Sequence, residues 1–333
     1  MTNSTATFSN LRTRTGAEMR KYAPQMILIG LIVLFSIISP NFLTSRNIII
    51  LIRQVSFAAI SAVGVSFIMI SGGIDLSIGS QIVMTNIILA IMMVDWDLPM
   101  GTAILLTLLV GTTLGVINGL LSVTLNVHSL IITLGTASIY KGLGYIFAQS
   151  RNIMGFPDAF RWFGQGYIGP IPVPIVIMII IALIGAFILT KTYFGRYIFA
   201  LGGNEEAARL AGVDIKRMRV LLFAISGFAS AITSILLLSR VFAGQVFTGQ
   251  GIEFDALTAA LLGGFSFKGG EGTIFGLMTG ILIIGVLNNA MQLASFPDFS
   301  QNVVKGSVLL AAVAFDVYQK SAKAKATVKN VSI

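Results

Sequence analysis

The chain has no cysteine and only one histidine among 333 residues. It therefore forms no disulfide and offers no thiolate. His128, in NVHS beside a predicted span end, has no neighbouring carboxylate–serine pair or ligand cluster, and reads as a loop or packing residue. The phosphate-binding pattern G-x-x-x-x-G-K-[ST] is missing as well. The stretch GGFSFKGG (263–270) carries glycines and a lysine, but not in that order. No nucleophile–base set, metal-ligand cluster or cofactor fingerprint occurs, so no cofactor, metal or catalytic residue is expected in this chain. Charge is scarce too: 11% of residues are charged, whereas a typical soluble domain carries about 25%.

Apolar side chain takes the place of charge. Hydrophobic residues make up 55% of the chain, with a mean hydropathy of +0.90. One water-solvated core cannot absorb that much, so the bilayer is the expected solvent. The net charge of +9 is not a nucleic-acid signature. The cations cluster at the N-terminus, in 191–219 and in the C-terminal tail, without aromatic interleaving. Such clustering is what membrane orientation requires.

A helical span needs about 20 mostly apolar residues. The candidates are 24–39, 48–70, 80–94, 99–123, 129–148, 172–190, 219–239, 254–267, 273–293 and 302–318, with 254–267 short enough to be re-entrant. The loop 191–219 holds Lys191, Arg196, Arg209, Lys216, Arg217 and Arg219, and belongs in the cytoplasm by the positive-inside rule. Six crossings precede it and four follow, so a ten-span count puts both termini in the cytoplasm. An eight-span count would do the same. The expectation is an all-α polytopic membrane bundle of about 10 segments. Residues 1–25 form an N-terminal tail, 26–318 the membrane domain and 319–333 a C-terminal tail. The run Met26–Ile38 ends in SPNF rather than a small-x-small site, so it is taken as an uncleaved first span. The connection 149–171 is expected to be an ordered extracytoplasmic loop or short interfacial helix, although Arg151 and Arg161 run against the charge rule.

Three stretches break the apolar pattern. The first is SGGIDLSIGS (71–80), where one carboxylate stands among glycines and serines. Gly72-Gly73 favours a helix break, with Ser71 and Ser77 available to freed backbone groups, and an ionised Asp75 at a helix centre would cost about 2.5–3.5 kcal/mol if it faced lipid. The residues allow two readings: a buried or wet break near a pathway, or a solvated turn with Asp75 capping the helix that starts near Ser77. The second stretch is 197–219. Gly202-Gly203-Asn204 is read as a turn, Glu205–Leu210 as a short helix with Glu205 and Glu206 at its acidic start, and Gly212 as its stop. The helix, with Ala207, Ala208 and Arg209, is either a docking element for a partner or a plain connector. The third is 249–273, where Glu253 and Asp255 precede an apolar run. Asn288-Asn289 inside a later span points to interhelical hydrogen bonds or a polar pathway. Gly73-Ile74-Asp75 is echoed by Gly251-Ile252-Glu253, and G-T-x-x-G-x-x-x-G occurs at 111–119 and 272–280. Both echoes are compatible with repeated halves and with plain helix packing.

GGIDLSIGS (72–80), ALGGNEEAARLAGV (200–213) and GIEFDALTAALLGG (251–264) occur in that order. Together they resemble the permease subunits of bacterial sugar-importing ABC transporters of the ribose/xylose/arabinose/galactoside branch. The likeness runs from about Ile38 to Asp316. SPNFLTSRN (39–47), GRYIFALGGNEEAARLAG (195–212) and VLNNAMQL (286–293) resemble most its ribose-type members. The resemblance implies a non-catalytic subunit in the bacterial inner membrane, paired with a second permease copy. It also implies a separate ATPase subunit that uses ATP and Mg, and an extracytoplasmic sugar-binding protein. Asn204 to Gly212 would form the ATPase-coupling element, and Asp75 and Glu253 would belong to the pathway or its supporting turns. Two other readings compete: an ion-gradient-driven transporter using Asp75 for coupling, and a membrane enzyme on lipid-linked sugars using DWD (95–97). The energy source separates the first from an ATP-driven importer.

Overall fold

A computed structural model describes residues 22–331, so most of the expected N-terminal tail lies outside the described residues. Helices α1 (Ala23–Ile38), α2 (Ser45–Ile70), α3 (Ile78–Val94), α4 (Met100–Thr124) and α5 (Ser129–Ala148) come first. A 3₁₀ turn at Asp158–Phe160, the short α6 (Arg161–Gln165) and a small hairpin, β1 (Tyr167–Ile168) with β2 (Ile171–Pro172), make up the ordered connection expected at 149–171. Then follow α7 (Val173–Lys191), α8 (Tyr193–Gly203), α9 (Glu205–Leu210), α10 (Ile215–Val241), α11 (Ile252–Leu262), α12 (Ile274–Leu293) and α13 (Asp298–Val331).

Six helices among the described residues are long and apolar enough to cross a membrane: α2, α4, α5, α7, α10 and α12. The apolar α1 and α3 are shorter. The run 254–267 is only partly helical. The 11 residues of α11 extend about 16 Å at 1.5 Å per residue, well short of a hydrocarbon core of about 30 Å. The run 302–318 is embedded in α13.

Small residues set the centre of the bundle. Helix α10 lies between α4 and α2, and α12 packs on α11 and α2. A Cβ on Gly115 would come 2.1 Å from the Phe223 carbonyl oxygen, and one on Gly227 would come 2.2 Å from that of Gly111. The second glycine series behaves alike, with Gly276 against Gly263 and Gly280 against Ala259. Both G-T-x-x-G-x-x-x-G runs are thus close helix crossings, where backbone approaches backbone.

The connections sort into two groups. Residues 71–73, 126–129, 202–205 and Lys268 line one cavity at one end of the bundle. At the far ends of the same helices, Asp95 pairs with Arg151, Ile153 bridges to Gly244, and Gln165 Nε2 donates to the Ser239 carbonyl. The two arginines that ran against the charge rule are both paired: Arg151 with Asp95, and Arg161 with Asp158, its guanidinium also 3.9 Å from the Phe242 ring centroid.

Candidate functional site

After α2 ends at Ile70 the chain turns back into the bundle as a non-helical strand of residues, 71–77, before α3 begins. Gly72, with φ +85°, makes the reversal possible. Backbone of this kind inside a membrane protein must find its partners in protein or water, and here side chains of α5 supply two of them. Ile74 N–H donates to Ser129 Oγ at 2.9 Å and Leu76 N–H to Thr133 Oγ1 at 3.2 Å, tying the strand to α5. Asp75 is 2% exposed. Its Oδ1 accepts from the Ser77 N–H (2.9 Å) and hydroxyl (2.6 Å), and its Oδ2 accepts from the Ser226 hydroxyl of α10 (2.9 Å). Ser77 Oγ in turn accepts from Gln81 and Asn118, and Asn118 Oδ1 accepts from Tyr140. Asp75 is therefore not a solvated turn residue. It fixes Ser77, the residue immediately before α3, against α10 and α4.

The second non-helical stretch, 242–251, follows α10. It passes along α3 from Asn86, whose Oδ1 accepts from Gln245 N–H at 3.3 Å, to Ile82 and Gly79. Gly249 and Gly251 have φ of +95° and +88°. The Glu253 carboxylate then lies against Gly79, where a Cβ would come 1.8 Å from its Oε2, so only glycine fits there. Glu253 Oε2 accepts from Gly251 N–H at 3.1 Å. Asp255 faces another way, pairing with Lys305 at 3.0 Å and reaching Asn288 at 3.5 Å. Asn289 and Asn47 exchange two hydrogen bonds of 2.8 and 2.9 Å, which locks α12 to α2. Of the residues singled out as pathway or helix-break candidates, Asp75 with Ser77 sits at the first break and Glu253 at the end of the second, whereas Asn289 serves packing and Asp255 an ion pair.

Three cations inside apolar helices stand outside the residues expected from sequence. Arg53 is buried in α2 with its guanidinium 5.0 Å from the Tyr167 ring centroid. Lys305 holds Asp255. Lys141 is exposed along α5. An ionisable residue inside an apolar run is itself the signal that marks such positions.

At the end where 71–73 emerges, Asn204 caps α9 by accepting from Ala207 N–H at 2.9 Å. Gly212, φ +87°, follows its last turn, with Gly212 N–H donating to the Arg209 carbonyl. The helix has the predicted limits, but the expected turn is narrower. Gly202 and Gly203 belong to α8, and only Asn204 separates the two helices. Glu205 pairs with Arg219 at 2.6 Å and Glu206 with Arg209 at 2.5 Å. Ala208 is buried, while Leu210 is 80% exposed. Behind the cap lies a cavity of about 500 Å³, lined by Gly72, Ser129, Asn204, Glu205, Arg219 and Lys268 among others. Its wall is a glycine joint. A Cβ on Gly202 would come 1.8 Å from the Ile70 carbonyl oxygen, Gly270 N–H donates to that same oxygen at 2.7 Å, and Gly269 abuts Gly72. Among the described residues no group of His, Cys, Asp and Glu could hold a metal ion.

Buried helix breaks, many apolar helices and an exposed short helix at the open end of the first break form the architecture of a multi-pass membrane transport protein. The comparisons narrow this further. Residues 47–313 match the family described as branched-chain amino acid transport system, permease component, and the chain belongs to that permease family. It is 40% identical over 305 residues to the ribose import permease protein of Haemophilus influenzae, covering 90% of this chain and 93% of that one. It is 39% identical over 300 residues to the ribose import permease protein of Bacillus subtilis, with the same coverage. The L-arabinose transport system permease protein of Escherichia coli K12 is 37% identical over 317 residues, 91% of this chain and 92% of its own. No solved structure matches significantly.

Proposed function

We propose that this chain is the membrane-spanning permease subunit of an ATP-driven monosaccharide importer, with a ribose-type sugar as cargo. The observation that carries the reading is similarity over nine-tenths of the chain to permeases named for ribose and arabinose transport. The chain does no covalent chemistry in this scheme. A separate ATPase subunit uses ATP and Mg, an extracytoplasmic binding protein delivers the sugar, and a second permease copy completes the pathway.

The ten-crossing topology belongs to the same reading, with both termini and 191–219 in the cytoplasm. It is supported by the alternation of connections, since 71–73, 126–129, 202–205 and 268 gather at one end and 95, 151–153 and 239–245 at the other. On this orientation α9 faces the ATPase. Its exposed Leu210 and acidic first turn offer a small apolar and charged docking face. Closure of the ATPase pushes α9, and the glycine joint passes that movement to the inner ends of α2 and of the 263–272 connection without side chains in between. Asp75 then carries the shift from 71–77 to α10.

The test is uptake of labelled ribose, arabinose and allose by cells with and without the gene, together with isolation of the chain in mild detergent. Loss of ribose uptake and a co-purifying ATPase are the expected results. Gradient-dependent uptake with no ATPase bound would overturn the proposal.

A further inference from the structure

Lys141 stands near the middle of α5, about 18 Å from the start of the helix and about 10 Å from its end at 1.5 Å per residue. Its side chain is exposed. An ammonium at such depth faces protein or a water-filled cavity rather than lipid. Ser138 and Tyr145, three residues before and four after, share its side of the helix. Ser138 is exposed. The neighbouring Gly142 borders open space.

The 242–251 stretch flanks this strip. The Tyr145 ring meets Phe247 edge-on at 6.1 Å between centroids, and Phe247 is 68% exposed. Gln250 is exposed on the same stretch. Glu253 follows at the start of α11. The strip thus carries two aromatic rings, the Ser138 and Tyr145 hydroxyls, a carboxamide, an ammonium and a carboxyl group. Rings that can cover the C–H face of a sugar, beside a few polar groups for its hydroxyls, suit a polyhydroxylated solute.

We infer that Ser138, Lys141 and Tyr145 of α5, with Phe247, Gln250 and Glu253, form the wall of the aqueous pathway on which a neutral monosaccharide rests in transit. This rests on the permease reading.

The native absence of cysteine gives a clean background. Single variants Ser138→Cys and Gln250→Cys are placed in the complete transporter in native membranes, with Ile139→Cys as reference. Ile139 is 57% exposed but lies about 100° around the helix from Ser138. Each is treated with a charged, membrane-impermeant thiol reagent, which attacks only a solvated thiolate. The expected result is reaction at 138 and 250, slowed several-fold by excess ribose, and none at 139. Reaction at all three positions alike, or at neither 138 nor 250 in a chain that still supports uptake, would overturn the inference. Lys141→Met supplies an independent reading: it should raise the KM for ribose several-fold at normal membrane level, and an unchanged KM removes Lys141 from the wall. Absence of sugar uptake by the unaltered chain would count against the permease reading instead, whatever the labelling pattern.

Discussion

Replacing Asp75 by alanine removes an acceptor from three buried donors at once: the Ser77 N–H, the Ser77 hydroxyl and the Ser226 hydroxyl. The hydroxyls can rotate towards other acceptors, but the amide cannot. An orphaned buried donor costs about 1–3 kcal/mol, and the weakened hydroxyl bonds add about 1–2 kcal/mol, giving about 2–5 kcal/mol in all. That is a large part of the roughly 5–15 kcal/mol that holds a typical domain together. It falls on the residue immediately before α3. Asparagine is a different perturbation. Its oxygen keeps both Ser77 contacts and its amide donates to the Ser226 hydroxyl, so the loss should be at most about 1 kcal/mol. The assay pairs the thermal midpoint of the detergent-solubilised complex with sugar uptake at matched membrane level. Asp75→Ala should lower both, and Asp75→Asn should leave both near the unaltered chain. The reasoning is refuted if Asp75→Asn abolishes uptake while melting normally. The carboxylate would then be needed for its charge, as in a transporter driven by an ion gradient.

Three further outcomes are expected. Gly202→Ala forces a Cβ to within 1.8 Å of the Ile70 carbonyl oxygen unless the backbone moves by more than 1 Å; the chain should insert and bind its ATPase, yet sugar-stimulated ATP hydrolysis and uptake should be lost, measured in proteoliposomes. Bulky or charge-reversed replacements of Glu205-Glu206 and Ala207-Ala208 should abolish ATPase co-purification and uptake at normal membrane level, and normal uptake would remove α9 from the coupling role. Lys305→Ala leaves Asp255 without its cation. The cost should be about 1–3 kcal/mol, below the fully buried range because a quarter of the Lys305 side chain is exposed, and adding Asp255→Asn should recover much of the lost thermal midpoint.

Local chemistry was legible in the sequence. The limits of α9 follow from Asn204, two acidic residues and Gly212, all of which act within a few positions of one another. Apolar runs located the long helices for the same reason. The reach of α8 through Gly203 was not legible, because those two glycines stay helical to pack on Ile70 and Gly270, which are distant in sequence. The partners of Asp75 were hidden likewise, since Ser226 and Asn118 approach it only through tertiary packing. Gly249 and Gly251 gave no sign that 242–251 descends along α3, because that path depends on the fit of Glu253 beside Gly79. Lys141 was visible as a lone cation in an apolar run, but its meaning depends on which side of α5 the bundle covers.

The joint behind α9 separates two tasks in the chain. Gly202, Gly269 and Gly270 touch neighbouring backbone, so any larger residue there alters the spacing of the main chain itself. Residues 205–211 carry side chains that mostly point outward, and their replacement leaves that spacing alone. If α9 docks the ATPase as proposed, a change of motor subunit requires rewriting only one short surface helix. On the proposed coupling role, segment 204–213 should be exchangeable as a cassette between permeases of this kind, whereas the glycines behind it should tolerate no exchange at all.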